Sequence, residues 1–415
     1  MAIIRPFRGI HYSKRFVHDA STVVIPPYDN IPAGMESVYM ARSPYNFAHV
    51  LLPKSAEDDY KQSKETLQKW REVGVLEEDA TPSFYLYQQS FELRGVKHQR
   101  QTLMCTVQLG DYAEGAVKPH ENTFGKHKKD RLQILRSTQC NLSHVFGMVK
   151  DQQGFLSSTF ERFAFETPLL TGKTDDGAEH ALWRVPTDKA KGIVEFFESK
   201  SIYIVDGHHR YESALAYAKE LGVVGKVDHP AAHMLFAIAN CYDPALVVLP
   251  THRLLRTAEG TAPDLVKMGE RFEIHKFAES ELEAFTTTRP EHSVQAPSFA
   301  LYAHGELYLC TPRDWASASG KAGKALPKLP VWWSDEVFLR DYAGINDDNR
   351  GDRVAYYKDA SELWAKRDSA RALVFHAPPS VMDVTSVADE KEFMPQKSTY
   401  FFPKLAAGFV FRALS

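Results

Sequence analysis

The chain has 415 residues, 44% hydrophobic and 25% charged, with 23 Gly, 23 Pro and a formal net charge of −3. That length suits two or three domains with a sizeable core, and the near-neutral charge gives no basic field of the kind that gathers nucleic acid. The four cysteines, Cys105, Cys140, Cys241 and Cys310, form no CxxC pair, which argues against a zinc motif or a disulfide framework and for buried reduced thiols.

Met1 to Gly9 lacks the apolar core of a signal peptide, and no run approaches the ~18 apolar residues of a membrane span. The expectation is a soluble, cytoplasmic protein. Ile3 to Asn30 is rich in prolines and aromatics and reads as short strands joined by rigid extended turns. Asp58 to Val73 is the first clear helix, stopped by Gly74. Ser83 to Phe91 and Thr102 to Leu109 read as strands, and Arg94-Gly95 between them suggests an antiparallel hairpin.

Lys126 to Ser137 reads as a helix with a strongly basic first turn. Ala181 to Arg184 begins a strand, Asp188 to Glu198 a helix, and Ser201 to Val205 a buried strand. Tyr211 to Leu221 is a helix of good formers closed by Gly222. Met234 to Asn240 and Leu246 to Leu249 read as strands. Small polar residues from Thr257 to Asp264 mark a boundary. Beyond it, Ala278 to Phe285 and Val331 to Tyr342 read as helices, and Ser298 to Cys310 as a hairpin turning at His304-Gly305. Ala316 to Pro330 reads as a loop. The expected division is residues 1–100, an N-terminal α/β segment; 101–256, a nucleotide and catalytic core; and 257–415, a C-terminal α+β domain.

Two polar motifs carry chemistry. Asp206-Gly207-His208-His209-Arg210 lies between a buried strand and a helix, where backbone N–H groups and the helix dipole favour an anion. An arginine, two imidazoles and a carboxylate at that spot point to a bound phosphate and to chemistry on it. The second motif is Lys118-Pro119-His120-Glu121-Asn122-Thr123. Phosphoryl transfer to a hydroxyl needs a carboxylate on the nucleophile, cationic or N–H donors around the phosphates and, usually, magnesium. Glu121 is the candidate base, with His120 and Asn122 as neighbours able to orient it. Gly207 to Arg210 are candidate phosphate holders, and Asp206 a candidate for metal or substrate.

Lys126, Lys128, Lys129 and Arg131 crowd the positive end of their helix, which favours an anion nearby as well as a solvated face. His252-Arg253 at a strand end are further candidates, as are Arg8 and Tyr28-Asp29, for which a structural role is equally open. Lys397 to Thr399 and Lys404 could close over a nucleotide or belong to a packed terminal strand. His208 and His209 with His120 could also form a metal site, although no HExxH spacing is present. Neither a GxxxxGK[ST] loop nor GxGxxG after a strand occurs.

The sequence resembles, over essentially its whole length, the bacterial and archaeal family catalogued as domain of unknown function 1015. The resemblance rests on Arg5 to Gly9, Pro26 to Asp29, Ser43 to Asn46, Pro119 to Thr123, Lys129 to Leu132, Asn141 to Ser143, Asp206 to Glu212 and Met394 to Lys404. It implies an α+β fold with a mixed-sheet, ParB/sulfiredoxin-like core and additional N-terminal and C-terminal α/β segments.

The Pro-His-Glu and Asp-Gly-His-His-Arg pair is also similar to free serine kinases. That similarity implies ATP (or ADP) with Mg2+ as cofactors and L-serine as the substrate giving O-phosphoserine. By that similarity Glu121 would be the base, His208, His209 and Arg210 would bind phosphates, and Asp206 would serve metal or substrate. The local reading adds His120 beside the base, Gly207, Lys129 and Arg131 to the nucleotide set, and Asn122, Thr123 and Arg253 as candidates for the substrate. His144 departs from the family pattern, which has proline there. A ParB-like nucleotide-dependent binding or regulatory protein and a metal-dependent phosphatase remain alternatives.

Overall fold

The computed structural model describes the chain except for residues 33, 53–59, 122–124, 257–261, 289–295, 321–323 and 415, and it describes no side chains for 125–127, 319 and 320. The fold is mixed α+β and divides into two compact units. The first comprises Met1–Pro119, Thr123–Leu246 and Pro403–Ser415; the second comprises His120–Asn122 and Val247–Phe402. The main break therefore falls after Leu246, ahead of the polar stretch from Thr257. Pairing explains its place: Val247–Leu249 joins Tyr400–Phe402 in an antiparallel ribbon of the second unit.

The first unit is built on a nine-stranded mixed sheet. Its strands run in the order Val117–Lys118, Ile202–Asp206, Val145–Val149, His233–Asn240, Val96–Gln108, Ser83–Leu93, Glu179–Pro186 and Leu170–Lys173, with Ile4–Arg5 also on Val96–Gln108. Ser83–Leu93 and Val96–Gln108 form the expected hairpin, turning on Arg94 (φ 52) and Gly95 (φ 78). His233–Asn240 is buried at every position, as its near-continuous apolar sequence requires of a central strand. The core gathers Phe84, Leu86, Val107, Ile202, Ile204, Phe236 and Ile238, each contributing roughly 1.5–3 kcal/mol by burial. All four cysteines are buried and free.

Helix Gly125–Thr138 lies against His208–Glu220, where Ser213 Oγ donates to the Lys128 carbonyl at 3.0 Å. The last residues thread through this same unit. Ala407 bridges to Ile25, Phe411 to Ile10, and Arg412–Ala413 pairs with Cys140–Asn141.

Some elements depart from expectation. Helices Glu36–Arg42 and Ala48–Leu51 carry no strong apolar period and were not expected. The helix expected over Asp188 to Glu198 breaks into a 3-10 turn, Thr187–Lys189, and a short helix, Ile193–Phe197, because Gly192 takes φ 85. The helix expected from Tyr211 begins at His208, so the His-His-Arg triplet forms its first turn.

The second unit holds a six-stranded antiparallel sheet in the order Phe272–Lys276, Glu306–Pro312, Phe299–Ala303, Ala370–Phe375, His252–Arg256 and Val354–Tyr357. Alternation buries Leu255, Leu301 and Val374 on one face and Leu254, Ala300 and Leu373 on the other. His304 (φ 54) and Gly305 (φ 78) make the expected turn. The loop expected over Ala316 to Pro330 contains helix Trp315–Gly320 and a 3-10 turn, Leu326–Lys328.

The helix expected over Val331 to Tyr342 opens as an α-turn and continues as a π-helix, Trp333–Tyr342. Trp333, Ser334, Asp335, Val337, Phe338 and Leu339 are all buried there. Burial there reaches round more than half of the helix, so no 3.6-residue amphipathic stripe marks it.

Candidate active site

Strand Ile202–Asp206 delivers the first motif. A register shift between Ile204 and Asp206 brings Asp206 opposite Phe146, and such bulges re-aim the side chains that follow them. Gly207 then takes φ 92, a left-handed conformation that a side chain would resist, and helix His208–Glu220 begins. A Cβ on Gly207 would also lie 3.0 Å from both Cζ and Nε of Arg210. The helix is anchored by Tyr211, whose hydroxyl donates to the Gly110 carbonyl at 2.7 Å and whose ring stacks on Tyr112.

Asp206 is the hub of the turn. Arg210 Nη2 donates to its Oδ2 at 2.8 Å, and Lys404 Nζ donates to its Oδ1 at 3.0 Å. Burial alone would raise its carboxyl pKa, but Lys404 and Arg210 outweigh that and hold it well below the usual carboxylate range. His208 is buried and its charge also acts on Asp206, whereas His209 is half-buried. Arg210 Nη1 donates to the carbonyl oxygen of His144. That contact uses only the backbone of residue 144. The buried His144 imidazole is pushed down to about pKa 3 by burial and by Arg210.

Tyr28 and Asp29 belong to this neighbourhood, and their charges act on Arg210. The Tyr28 hydroxyl is pushed up to about 12, by burial first and then by Asp29. Arg131 stacks over the Tyr28 ring at 3.9 Å and donates to Asp130 Oδ2 at 2.6 Å. Lys128 pairs with Glu212, and Lys129 is exposed. The basic first turn of that helix is thus partly answered by carboxylates of the chain itself. Arg8 is taken up elsewhere, on Glu78 and the Asp79 carbonyl.

Arg131 and Arg210 flank a cavity of about 40 Å3 with Asn141, Ser143 and Ser213 also on its walls. That is room for a water, not a nucleotide. A cavity of about 370 Å3 lies at the opposite edge of the sheet, beside Thr171, Glu179 and His180.

Of the second motif, Lys118 and Pro119 belong to the first unit, and His120 and Glu121 to the second. Glu121 bridges in parallel to Met394, and the Met394 N–H donates to the His120 carbonyl at 2.8 Å. The Lys397 N–H donates to Glu121 Oε1 at 2.8 Å. His120 is fully buried, with Nε2 3.2 Å from Thr399 Oγ1. Lys397 is held at φ 56, a left-handed conformation that costs a lysine of order 1 kcal/mol and occurs where surrounding structure imposes it. One turn, 394–399, therefore seats both the histidine and the glutamate.

The other sequence candidates separate. Asn122 and Thr123 lie outside the described residues, as does the Lys126 side chain. Arg253 is 0% exposed and forms a fork with Asp335 at 3.0 and 3.1 Å, which Arg350 joins at 2.7 Å. Its guanidinium serves the core of the second unit and faces no open space. The sequence offered Lys404 either as closing over a nucleotide or as part of a packed terminal strand, and the structure brings its ammonium to Asp206. Among the described residues, no group of three or more His, Cys, Asp or Glu could hold a metal ion, and no helix is long and apolar enough to cross a membrane.

Among solved structures, the chain is similar to a free serine kinase in complex with AMP, at 14% identity and a TM-score of 0.33, over 71% of this chain and 89% of that one. A conserved hypothetical protein from Pyrococcus furiosus matches at 14% identity and a TM-score of 0.32, over 71% and 92%. A C-terminally truncated SbnI from Staphylococcus aureus matches at 11% identity and a TM-score of 0.34, over 70% and 82%. No curated protein matches. Over residues 4–334 the sequence matches the family described as "Protein of unknown function (DUF1015)", and the chain belongs to that family.

Proposed function

We propose that the protein is a phosphotransferase that moves a phosphoryl group from ATP (or ADP) to the hydroxyl of a small metabolite, with free L-serine as the leading acceptor. The observation that carries this reading is the pair of cations, Arg210 and Lys404, gathered on Asp206 where a 13-residue helix begins at Gly207. Asp29 offsets part of that charge, yet the helix dipole and first-turn N–H groups add to it, and the sum suits a phosphate. The pairing of this turn with Pro119-His120-Glu121 is what resembles free serine kinases, and a ParB/sulfiredoxin-like core is part of the same reading.

In this mechanism Glu121 takes the proton of the acceptor hydroxyl while its oxygen attacks the terminal phosphorus. The bond from that phosphorus to the bridging oxygen breaks, and the shortened nucleotide leaves. Gly207, His208, His209 and Arg210 hold the phosphates through the helix start, with Lys129 and Arg131 as a second basic edge. The 394–399 turn keeps the Glu121 carboxylate oriented, and His120 secures its backbone. Asn122 and Thr123, which follow Glu121 in the sequence, are the candidates for the acceptor.

Magnesium commonly takes one or two carboxylates plus phosphate oxygens, and Asp206 is the carboxylate that the resemblance suggests for it. Both its oxygens are engaged by Lys404 and Arg210, so it does not fit a magnesium ligand and no step is routed through the ion.

The test is product formation. Purified protein with ATP, Mg2+ and L-serine should yield O-phosphoserine, and Glu121→Gln should nearly abolish turnover with nucleotide affinity kept. No product from serine or a panel of small alcohols overturns the reading. Phosphate release from phosphoesters without a nucleotide would replace it with a phosphatase, and tight nucleotide binding without consumption with a regulatory protein.

A further inference from the structure

Lys404 is 198 residues from the carboxylate it contacts and lies beyond residue 334, where the family match ends. Its backbone is held with unusual care. The Gln89 side-chain amide donates to the Lys404 carbonyl at 3.0 Å. Arg100, fully buried, donates to both Gln89 and the Pro403 carbonyl. Burying a guanidinium is costly, and burial lowers the Arg100 pKa to about 10. Here the buried charge fixes two consecutive carbonyls, those of Pro403 and Lys404, and so the start of the Lys404 side chain.

The ammonium then arrives on Asp206 Oδ1, with Arg210 on Oδ2, and both cations are largely buried at 12% and 6% exposure. Charge balance alone would need one cation for this carboxylate. Among the described residues, the charged and titratable groups facing Asp206 and Arg210 include Asp29, a further anion, together with Tyr28, His208 and His144. A lysine ammonium has three N–H groups and can serve a carboxylate and a phosphate oxygen together.

From this we infer that Lys404 is a phosphate-binding residue of the turn, preset by Arg100 and Gln89 and held beside the helix start by Asp206. The inference rests on the proposed nucleotide site and adds to it a ligand from the far end of the chain. An anion entering at Gly207 would take hydrogen bonds from Lys404 and Arg210 while Asp206 keeps both cations in place.

The experiment is calorimetric titration of the full-length protein with ADP, and with adenosine as a phosphate-free control. Lys404→Met should weaken ADP binding by about 10- to 100-fold and leave adenosine binding unchanged, and Lys404→Arg should recover most of the loss. Because a lone Asp206 in the Met variant could disturb folding, the same substitution is repeated in an Asp206→Asn background. There a phosphate ligand still loses 10- to 100-fold for ADP. If Lys404 serves only to neutralise Asp206, the substitution becomes silent and the inference is overturned. Unchanged ADP affinity in Lys404→Met overturns it too, with the nucleotide site intact. Failure of the unmodified protein to bind ADP overturns the nucleotide site itself, and the inference with it.

Discussion

The main-chain N–H of Lys397 donates to Oε1 of Glu121 at 2.8 Å across 276 residues of sequence, and Lys397 takes φ 56 in doing so. A carboxylate gripped by a backbone donor keeps its orientation better than one held by a mobile side chain. The strained residue and the candidate base are thus one local device.

Its test separates the N–H from the side chain. Lys397→Gly keeps the donor and relieves the left-handed strain, so thermal unfolding should show stability unchanged or raised by up to about 1 kcal/mol, with turnover kept. Lys397→Pro removes the donor and cannot reach a positive φ, and kcat should fall at least tenfold. Equal turnover in the two variants would detach the turn from Glu121.

Gly207 is the second sensitive backbone position. Alanine there meets both an unfavourable φ of 92 and the Arg210 guanidinium at 3.0 Å. Gly207→Ala should cost about 1–3 kcal/mol in denaturant titration and weaken ADP binding, since Arg210 must move off Asp206. Full retention of ADP affinity would argue that the turn does not hold phosphates.

Acid should destabilise the fold well above the range of its carboxylates. Burial depresses the imidazoles of His144 and His252 to about 3, of His180 and His233 to about 4, and of His376 well below its ordinary value. Unfolded histidine titrates near 6.5. Below that pH the unfolded chain binds protons that the folded protein refuses. Stability is therefore complete above about pH 6.5 and falls toward pH 4, by as much as about 1.4 kcal/mol per pH unit per histidine. Melting temperatures measured from pH 7 to 4 should drop steeply; a flat profile from 7 to 5 would contradict the burial of these rings.

Arg253 supplies a control outside the site. Asp335→Ala leaves two buried guanidinium groups facing each other and should cost about 3–5 kcal/mol, read by chemical unfolding. ADP affinity, measured where the variant stays folded, should be unchanged. Loss of nucleotide binding without loss of stability would return Arg253 to the list of ligand residues.

Much of this was legible in the sequence, and the particular residues say why. Arg94-Gly95 and His304-Gly305 announced their hairpins because a two-residue turn with positive φ has a local composition. Gly207 between a β-branched run and a helix-forming one announced the anion turn in the same way. Gly192 hid a break, since an isolated glycine in a helical pattern reads as tolerated. The π-helical stretch after Trp332 could not be read from a 3.6-residue period, because its buried set does not follow one.

The mixed α+β class, the two motifs and the chemistry they suggest could be read from short stretches, since each rests on neighbours within a few positions. The company those motifs keep is set by packing. Lys404 on Asp206 and Lys397 on Glu121 are separated by 198 and 276 residues. Arg253 and Arg210 look alike in sequence, each an arginine at a strand end or helix start. One is sealed on Asp335 in a core and the other shares Asp206 with a lysine. Burial and long-range pairing belong to the packed chain, and no short-range pattern encodes them.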